Sequence, residues 1–245
     1  MAVVLNALAG QCSARSGERT AALVELYTSE GCSSCPPADR WLSALGGRYA
    51  ERVVPLSLHV DYWDYIGWKD PYAKARFSMR QRKMSQLQRA AFVYTPEVLL
   101  QGREFRAWGS AAFDAAVAQI NARPARAQIS LGIDAVGKDR IEAQVRAQVS
   151  DPAGADAVLY VAAYENKLTS HVAAGENRGR TLTHDYVALE WLGPFPLERG
   201  APLARKQSLP LLPKAVPANS GVAAFVQDRR TAEVLQALML PVCPG

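Results

Sequence analysis

The sequence predicts an α/β protein in two parts, with strands alternating with helices in the first and antiparallel strands making up the second. Three observations carry this prediction. An apolar run at Ala21–Tyr27 leads into Cys32-Ser-Ser-Cys35 and then into a helical pattern. A second apolar run, Val53–Val60, follows that helix. Beyond Pro124 the hydrophobic period changes from that of a helix to a strict alternation. At 245 residues, 49% hydrophobic and 21% charged, the chain is long enough for two modest cores. Its net charge of +5 is spread along the chain, which argues against a nucleic-acid-binding tail. No apolar run approaches the roughly 20 residues needed to span a bilayer.

The elements follow in order. Ala2–Gly10 is small and apolar like the tail of a signal peptide but lacks a basic flank. Gln11–Thr20 is small and polar, so residues 1–20 are read as a leader or residual export signal. A lipid anchor at Cys12 is disfavoured because Gln11 precedes it. Ala21–Thr28 suits a strand buried in a sheet. Pro36 fits a first helical turn, and Ala38, Trp41, Leu42 and Leu45 repeat at helical spacing up to Gly46-Gly47, so a helix is expected to begin at or beside Cys35. With the Val53–Val60 strand this makes a right-handed βαβ unit with parallel strands. Ligands of such sheets gather at the carboxyl ends of the strands, which predicts Asp61, Tyr62 and Trp63 near the cysteines.

Pro71–Ala91 reads as a basic amphipathic helix whose apolar stripe, Ala73, Phe77, Met84, Leu87 and Ala91, is interrupted by Arg80. Thr95-Pro96 precedes a strand, Glu104–Trp108 is its antiparallel partner, and Ser110 caps a helix carrying Phe113, Ala116, Val117 and Ile120. This β-α-β-α-β-β-α order ends near Asn121. Thereafter Ile129, Leu131, Ile133 and Ala135, and then Ile141, Ala143, Val145, Ala147 and Val149, alternate with polar residues. Further strands fit Ala157–Tyr164, Asp185–Leu192 and Gly221–Gln227, which together suggest a small β-sandwich. The boundaries expected are 21–122 for the first domain and 123–245 for the second.

The chemistry concentrates at Cys32 and Cys35. A cysteine pair at this spacing between a strand and a helix points to redox chemistry, because a helix's first turn offers free N–H groups and a positive dipole end that favour thiolate over thiol. A structural zinc site wants four ligands, and no second such pair exists. Copper needs fewer soft ligands and would take Cys32, Cys35 and His59, although His59 reads better as a packed or hydrogen-bonded strand residue. No metal and no cofactor are therefore expected. Glu30 and Asp61 are candidate proton acceptors for the resolving thiol. His171 and His184 read as satisfied surface groups, with no nucleophile motif beside them. Tyr62, Trp63, Tyr65 and Trp68 form an aromatic group suited to packing on the basic helix or to a docking lip. Cys12 and Cys243 are candidates for a disulfide that ties the chain ends in an oxidising compartment.

Val24-Glu-Leu-Tyr-Thr-Ser-Glu-Gly-Cys-Ser-Ser-Cys-Pro-Pro-Ala-Asp39, His59-Val-Asp-Tyr-Trp-Asp64, Gly67-Trp-Lys-Asp70, Tyr94-Thr-Pro96 and Gly175-Glu-Asn-Arg-Gly-Arg-Thr-Leu-Thr-His184 closely resemble the bacterial domain of unknown function 1223 family. The order of the first half is similar to that of thioredoxin-fold proteins. The resemblance implies a thioredoxin-like domain followed by the small β-sandwich, and a periplasmic or secreted location. It implies Cys32 as the attacking thiol, Cys35 as the resolving thiol, and Pro96 after Thr95 as a cis-proline facing the pair. Thr95, Pro96, Asp61 and Trp63 would then bind substrate. Where thioredoxin has tryptophan before its pair, this chain has Gly31, and Pro36-Pro37 would delay the helix past Cys32. The function expected is thiol–disulfide exchange with protein or small-molecule thiols and disulfides, with neither nucleic acid nor a transmembrane span involved. The alternative is a non-catalytic thioredoxin-like protein that docks copper or protein and keeps a structural disulfide. The oligomeric state is not set by the sequence.

Overall fold

Seven consecutive residues of one early strand, Ala22–Thr28, are buried on both faces, as a strand inside a covered sheet requires. The computed structural model describes residues 12–150 and 156–243; the expected export-signal remnant at Ala2–Gly10 lies outside the described residues. The first half runs β1 (Cys12–Arg15), β2 (Ala22–Thr28), α1 (Pro36–Tyr49), β3 (Val53–His59), α2 (Ala75–Leu87), β4 (Glu97–Leu100), β5 (Arg103–Glu104) and α3 (Ala111–Asn121). The second half runs β6 (Ala127–Val136), β7 (Arg140–Val149), β8 (Ala157–Glu165), β9 (Leu168–His171), β10 (Thr181–His184), β11 (Val187–Pro196), β12 (Leu203–Pro210), β13 (Ser220–Asp228) and β14 (Val234–Pro241).

The strands form an eight-stranded mixed sheet ordered β14-β13-β8-β11-β3-β2-β4-β5, a four-stranded sheet ordered β1-β6-β7-β12, and a two-stranded pair of β9 and β10. β2 and β3 pair in parallel across α1. β11 meets β3 in parallel where Val187 stands opposite Ser57 and Tyr186 accepts a bond from the Ser57 N–H. Strands from both sides of the expected 122/123 boundary therefore share one sheet. One face of that sheet packs α1 and α3 over β2 and β4. Beside them, Ile129, Leu131, Ile141 and Val145 of the four-stranded sheet pack onto Leu159, Val161 and Leu189. α2 covers the opposite face through Phe77 and Met84. Among the described residues no helix is long and apolar enough to cross a membrane.

Local details depart from the sequence reading for physical reasons. Where a leader is expected, Cys12–Arg15 forms β1 and pairs antiparallel with β6, and Cys12 is joined by a disulfide to Cys243 beyond β14. α1 does not stop at Gly46-Gly47. Gly46 sits inside it because a Cβ there would collide with the Tyr186 hydroxyl, so the glycine serves close packing rather than termination. α2 is shorter than the predicted Pro71–Ala91, and Leu87 is partly exposed. β5 ends at Glu104, well short of Trp108.

Arg80, the break in the apolar stripe, is buried in the core. Its Nη2 donates to Glu25 Oε2 of β2 at 3.0 Å, its Nε donates to Glu25 Oε1, and its guanidinium lies 4.7–5.1 Å from the rings of Trp191, Tyr160 and Phe225. Removing one partner of a buried pair strands the other's charge. Arg80→Met is therefore expected to lower unfolding free energy by about 3–5 kcal/mol in urea denaturation, and the double variant Glu25→Leu/Arg80→Met is expected to recover most of that loss.

Candidate redox site

The start of α1 is fixed by its two prolines, which occupy the first helical positions where a missing N–H is tolerated. Cys35 is the N-cap residue with helical dihedrals (φ −76°, ψ −38°) and no side-chain cap. The next two amides, Ala38 and Asp39, both donate to Cys35 O, at 2.9 and 3.1 Å. Pro36 and Pro37 have no N–H to offer, so the first turn of α1 presents no free backbone donor toward Cys32. Cys32 sits in the preceding turn, with its N–H on Ser29 O at 3.1 Å and its carbonyl accepting from Cys35 N at 3.2 Å. The two cysteines are joined by a disulfide. They are 1% and 0% exposed, far more enclosed than an attacking thiol requires.

Beneath the disulfide, at the carboxyl ends of β2 and β3, lies a buried set of carboxylates and imidazoles. Glu30 accepts from Trp68 Nε1 at 2.8 Å and faces His184 Nε2 at 3.1 Å. Its backbone N–H donates to Asp70 Oδ2 at 2.9 Å, and the same oxygen lies 2.7 Å from His59 Nδ1. The His59 and His184 rings meet edge to face at 4.8 Å. Asp39, one helical turn after Cys35 and on its face of α1, places Oδ2 3.9 Å from His184 Nδ1. Burial drives the Asp39 carboxyl above its ordinary value, against the opposing pull of His184 and His59. For His59, burial works downward but the Asp70 carboxylate outweighs it and raises the imidazole. For Asp70, burial works upward but His59 and the hydrogen bonds from Glu30 and Tyr72 outweigh it and lower the carboxyl. The Thr28 hydroxyl faces the Asp39 carboxyl, and His59 Nε2 and His184 Nδ1 are buried without a hydrogen-bond partner.

A loop between β9 and β10 closes over the pair. Asn177 Nδ2 donates to the carbonyls of both Glu30 and Cys32 at 2.9 Å, and the Ser33 N–H donates to Glu176 Oε2 at 2.9 Å. On the other side, Trp63 Nε1 donates to Thr95 Oγ1 at 2.7 Å, next to the cis Thr95–Pro96 bond. A Cβ at Gly31 would lie 3.0 Å from Trp63 and 3.2 Å from Ile66, so a side chain before Cys32 would crowd both and the glycine suits this close approach. Trp63 thus connects Thr95-Pro96 to the residue beside Cys32. Asp61 is directed elsewhere, with its N–H on Ser78 Oγ at 3.2 Å and its carboxylate accepting from that hydroxyl.

His184, read from sequence as a surface group, is 2% exposed and bonded to Glu30; this corrects that reading, because its partner lies 154 residues away. His171 is exposed, with Thr181 Oγ1 2.8 Å from its Nδ1. His59 is turned to Asp70 through Nδ1, and among the described residues no group of three or more His, Cys, Asp or Glu is arranged to hold a metal ion. Sequence reasoning missed Asp39, Asp70, Glu176, Asn177 and His184 as members of the site. The signal available was their placement inside the motif blocks that carry the resemblance.

Fold and site together define a mixed, sheet-rich α/β protein with a Cys-x-x-Cys disulfide at a strand-to-helix junction. The chain matches the family described as Protein of unknown function (DUF1223) over residues 23–227, and it belongs to that family. No curated protein matches it. Among solved structures, a protein of Agrobacterium tumefaciens is 24% identical with a TM-score of 0.67, covering 94% of this chain and 98% of that one. HBP35 of Porphyromonas gingivalis is 17% identical with a TM-score of 0.68, covering 94% of this chain and 79% of that one. Both likenesses are of fold.

The His59–Asp70 pair makes stability depend on pH with a definite sign. His59 is raised above its ordinary 6.5, so its contribution is complete below that value and is lost as pH rises through the elevated one. Asp70 is lowered from 3.8, so its contribution is present above 3.8 and is lost only as pH falls through the depressed value. The pair stabilises fully between 3.8 and 6.5. His59→Gln, which cannot take up the proton, is expected to differ most from the wild type near pH 5, with the gap narrowing toward pH 8.5 in denaturant titrations.

Proposed function

We propose that this protein is an exported thiol–disulfide oxidoreductase, with a thioredoxin-like part over 21–122 and a β-sandwich part over 123–245 that are joined through one shared sheet. One observation carries the reading: the Cys32–Cys35 disulfide lies at the carboxyl end of β2 and at the start of α1, with the buried acid Asp39 one turn behind Cys35. In the reductive direction the Cys32 thiolate attacks a partner's disulfide and releases one partner sulfur as thiolate. Cys35, losing its proton, then attacks the Cys32 sulfur of the mixed disulfide, which frees the second partner thiolate and restores the Cys32–Cys35 bond. Two electrons pass from the cysteine pair to the partner. Both carboxylate oxygens of Glu30 are engaged and Asp61 is bound to Ser78, whereas Asp39 stands 3.9 Å from His184 and burial raises its carboxyl, so Asp39 takes the acceptor role that sequence suggested for Glu30 and Asp61. Thr95, Pro96 and Trp63 supply the substrate-binding side. The two disulfides support a periplasmic or secreted location.

A second reading, a docking protein in which Cys32–Cys35 is a structural clip, is favoured by the burial of both cysteines. The reduction potential separates the two: exchange enzymes span about −120 to −270 mV, while structural disulfides fall below about −300 mV. For the oxidoreductase, Cys32→Ser is expected to abolish reduction of insulin disulfides and Cys35→Ser to accumulate covalent partner adducts on non-reducing gels. Wild-type protein that exchanges in neither direction overturns the reading.

A further inference from the structure

We propose that Ala173–Arg180, the tip of the β9–β10 hairpin, is a strap that holds the Cys32–Cys35 centre closed, and that Glu176 and Asn177 govern which thiols reach it. The inference rests on the reading of this pair as an exchange centre and assigns its regulation to the second half of the chain.

The strap has a firm neck and a separable tip. At the neck, Gly179 N donates to Val172 O at 2.8 Å and Val172 N donates to Arg180 O at 3.0 Å, so the hairpin can keep its base while the tip moves. At the tip, the polar contacts to the redox turn include the two bonds from Asn177 Nδ2 and those of Glu176 with the Ser33 N–H and hydroxyl. Arg180 Nη1 donates to Asn177 Oδ1 at 3.2 Å, which orients the amide so that its nitrogen faces the Glu30 and Cys32 carbonyls. Gly175, at φ +75°, lets the tip lie against Ile66 and Trp68, where a Cβ would come within 2.9 Å of the Ile66 side chain. Asn177 is wholly buried although its neighbours Glu176 and Arg178 have solvent access. A few hydrogen bonds and one glycine contact thus fasten the tip to the turn that carries the enclosed disulfide. Thiol–disulfide exchange needs direct approach to a sulfur, so its rate follows the fraction of molecules in which the tip is lifted.

The test is reduction of the oxidised full-length protein by dithiothreitol. A dithiothreitol thiolate attacks the Cys32 sulfur and the bond to Cys35 breaks, with Cys35 leaving as thiolate and taking up a proton. The second dithiothreitol sulfur then displaces Cys32 as dithiothreitol closes to its cyclic disulfide, so two electrons move from reagent to protein. Alkylation followed by peptide mass analysis reads Cys32/Cys35 and Cys12/Cys243 separately, the second pair being an internal reference remote from the strap. Asn177→Ala, which removes two donors, is expected to speed reduction of Cys32–Cys35 by about tenfold, and Glu176→Gln, which removes only the carboxylate charge on a solvent-accessible side chain, by about threefold. The Cys12–Cys243 rate is expected to stay unchanged in both. Equal Cys32–Cys35 rates in wild type and Glu176→Gln overturn the strap, as does acceleration of both disulfides together, which marks general unfolding. The readout needs no substrate protein: loss of insulin reduction with a strap effect intact rejects the enzyme, whereas turnover without a strap effect rejects only the strap.

Discussion

The arrangement around the cysteine pair depends on the complete burial of the Glu30 carboxylate. A carboxylate removed from water is tolerated only when its oxygens and its neighbouring backbone are satisfied. Glu30 meets that demand with groups from separate parts of the chain: Trp68 and Asp70 from the loop after β3, His184 from β10, and Asn177 from the hairpin tip. Each of these commits its own segment. Asp70 also holds His59, His184 also faces Asp39, and Asn177 also holds Cys32. The loops that surround the disulfide are therefore placed by one residue two positions before it.

That network requires both halves of the chain to meet at one sheet edge, and the parallel contact of β11 with β3 brings them there. Tyr186, immediately before β11, bonds the Ser57 amide and fills the space above Gly46 of α1. His184 stands two residues earlier in the chain, so this register delivers it to Glu30. On the opposite face, Arg80 and Glu25 perform a similar joining role. The guanidinium on α2 reaches a carboxylate on β2 and is enclosed by aromatic rings from β8, β11 and β13. Charged residues at the interior of each face thus connect elements that hydrophobic packing alone would leave free to slide.

What the sequence revealed divides along the same line. β2, α1, β3 and α3 are legible because local apolar period and caps determine them; the Ser110 hydroxyl does accept from Ala112 N at the start of α3. Strand β12 is hard to see because most of its residues are exposed and carry Arg205 and Lys206, which leaves little alternation to read. β1 looks like a polar leader because its partner, β6, begins more than a hundred residues later. The cysteines, Glu30 and His59 draw attention by residue type, but the roles of Arg80, His184 and Asn177 are set by partners 55, 154 and 145 residues distant. A polar residue whose partner is that remote looks the same in sequence as a solvated one.

The start of α1 has a consequence for any exchange. A strong oxidant of this kind owes its potential to a reduced form stabilised by donors around the attacking thiolate. Here the first two helical positions are prolines, the amides of Ala38 and Asp39 return to Cys35 O, and the Ser33 N–H is given to the Glu176 carboxylate, while the Ser34 hydroxyl lies 3.3 Å from Cys32 Sγ. Acidic side chains flank the turn, Glu30 and Asp39 in the chain and Glu176 across it, and the Arg180 guanidinium stands behind Asn177. The buried imidazole of His59 is paired with Asp70 and offers its charge there. In the proposed exchange, any stabilisation of the reduced form therefore rests on the Ser34 hydroxyl beside the Cys32 sulfur rather than on the start of the helix.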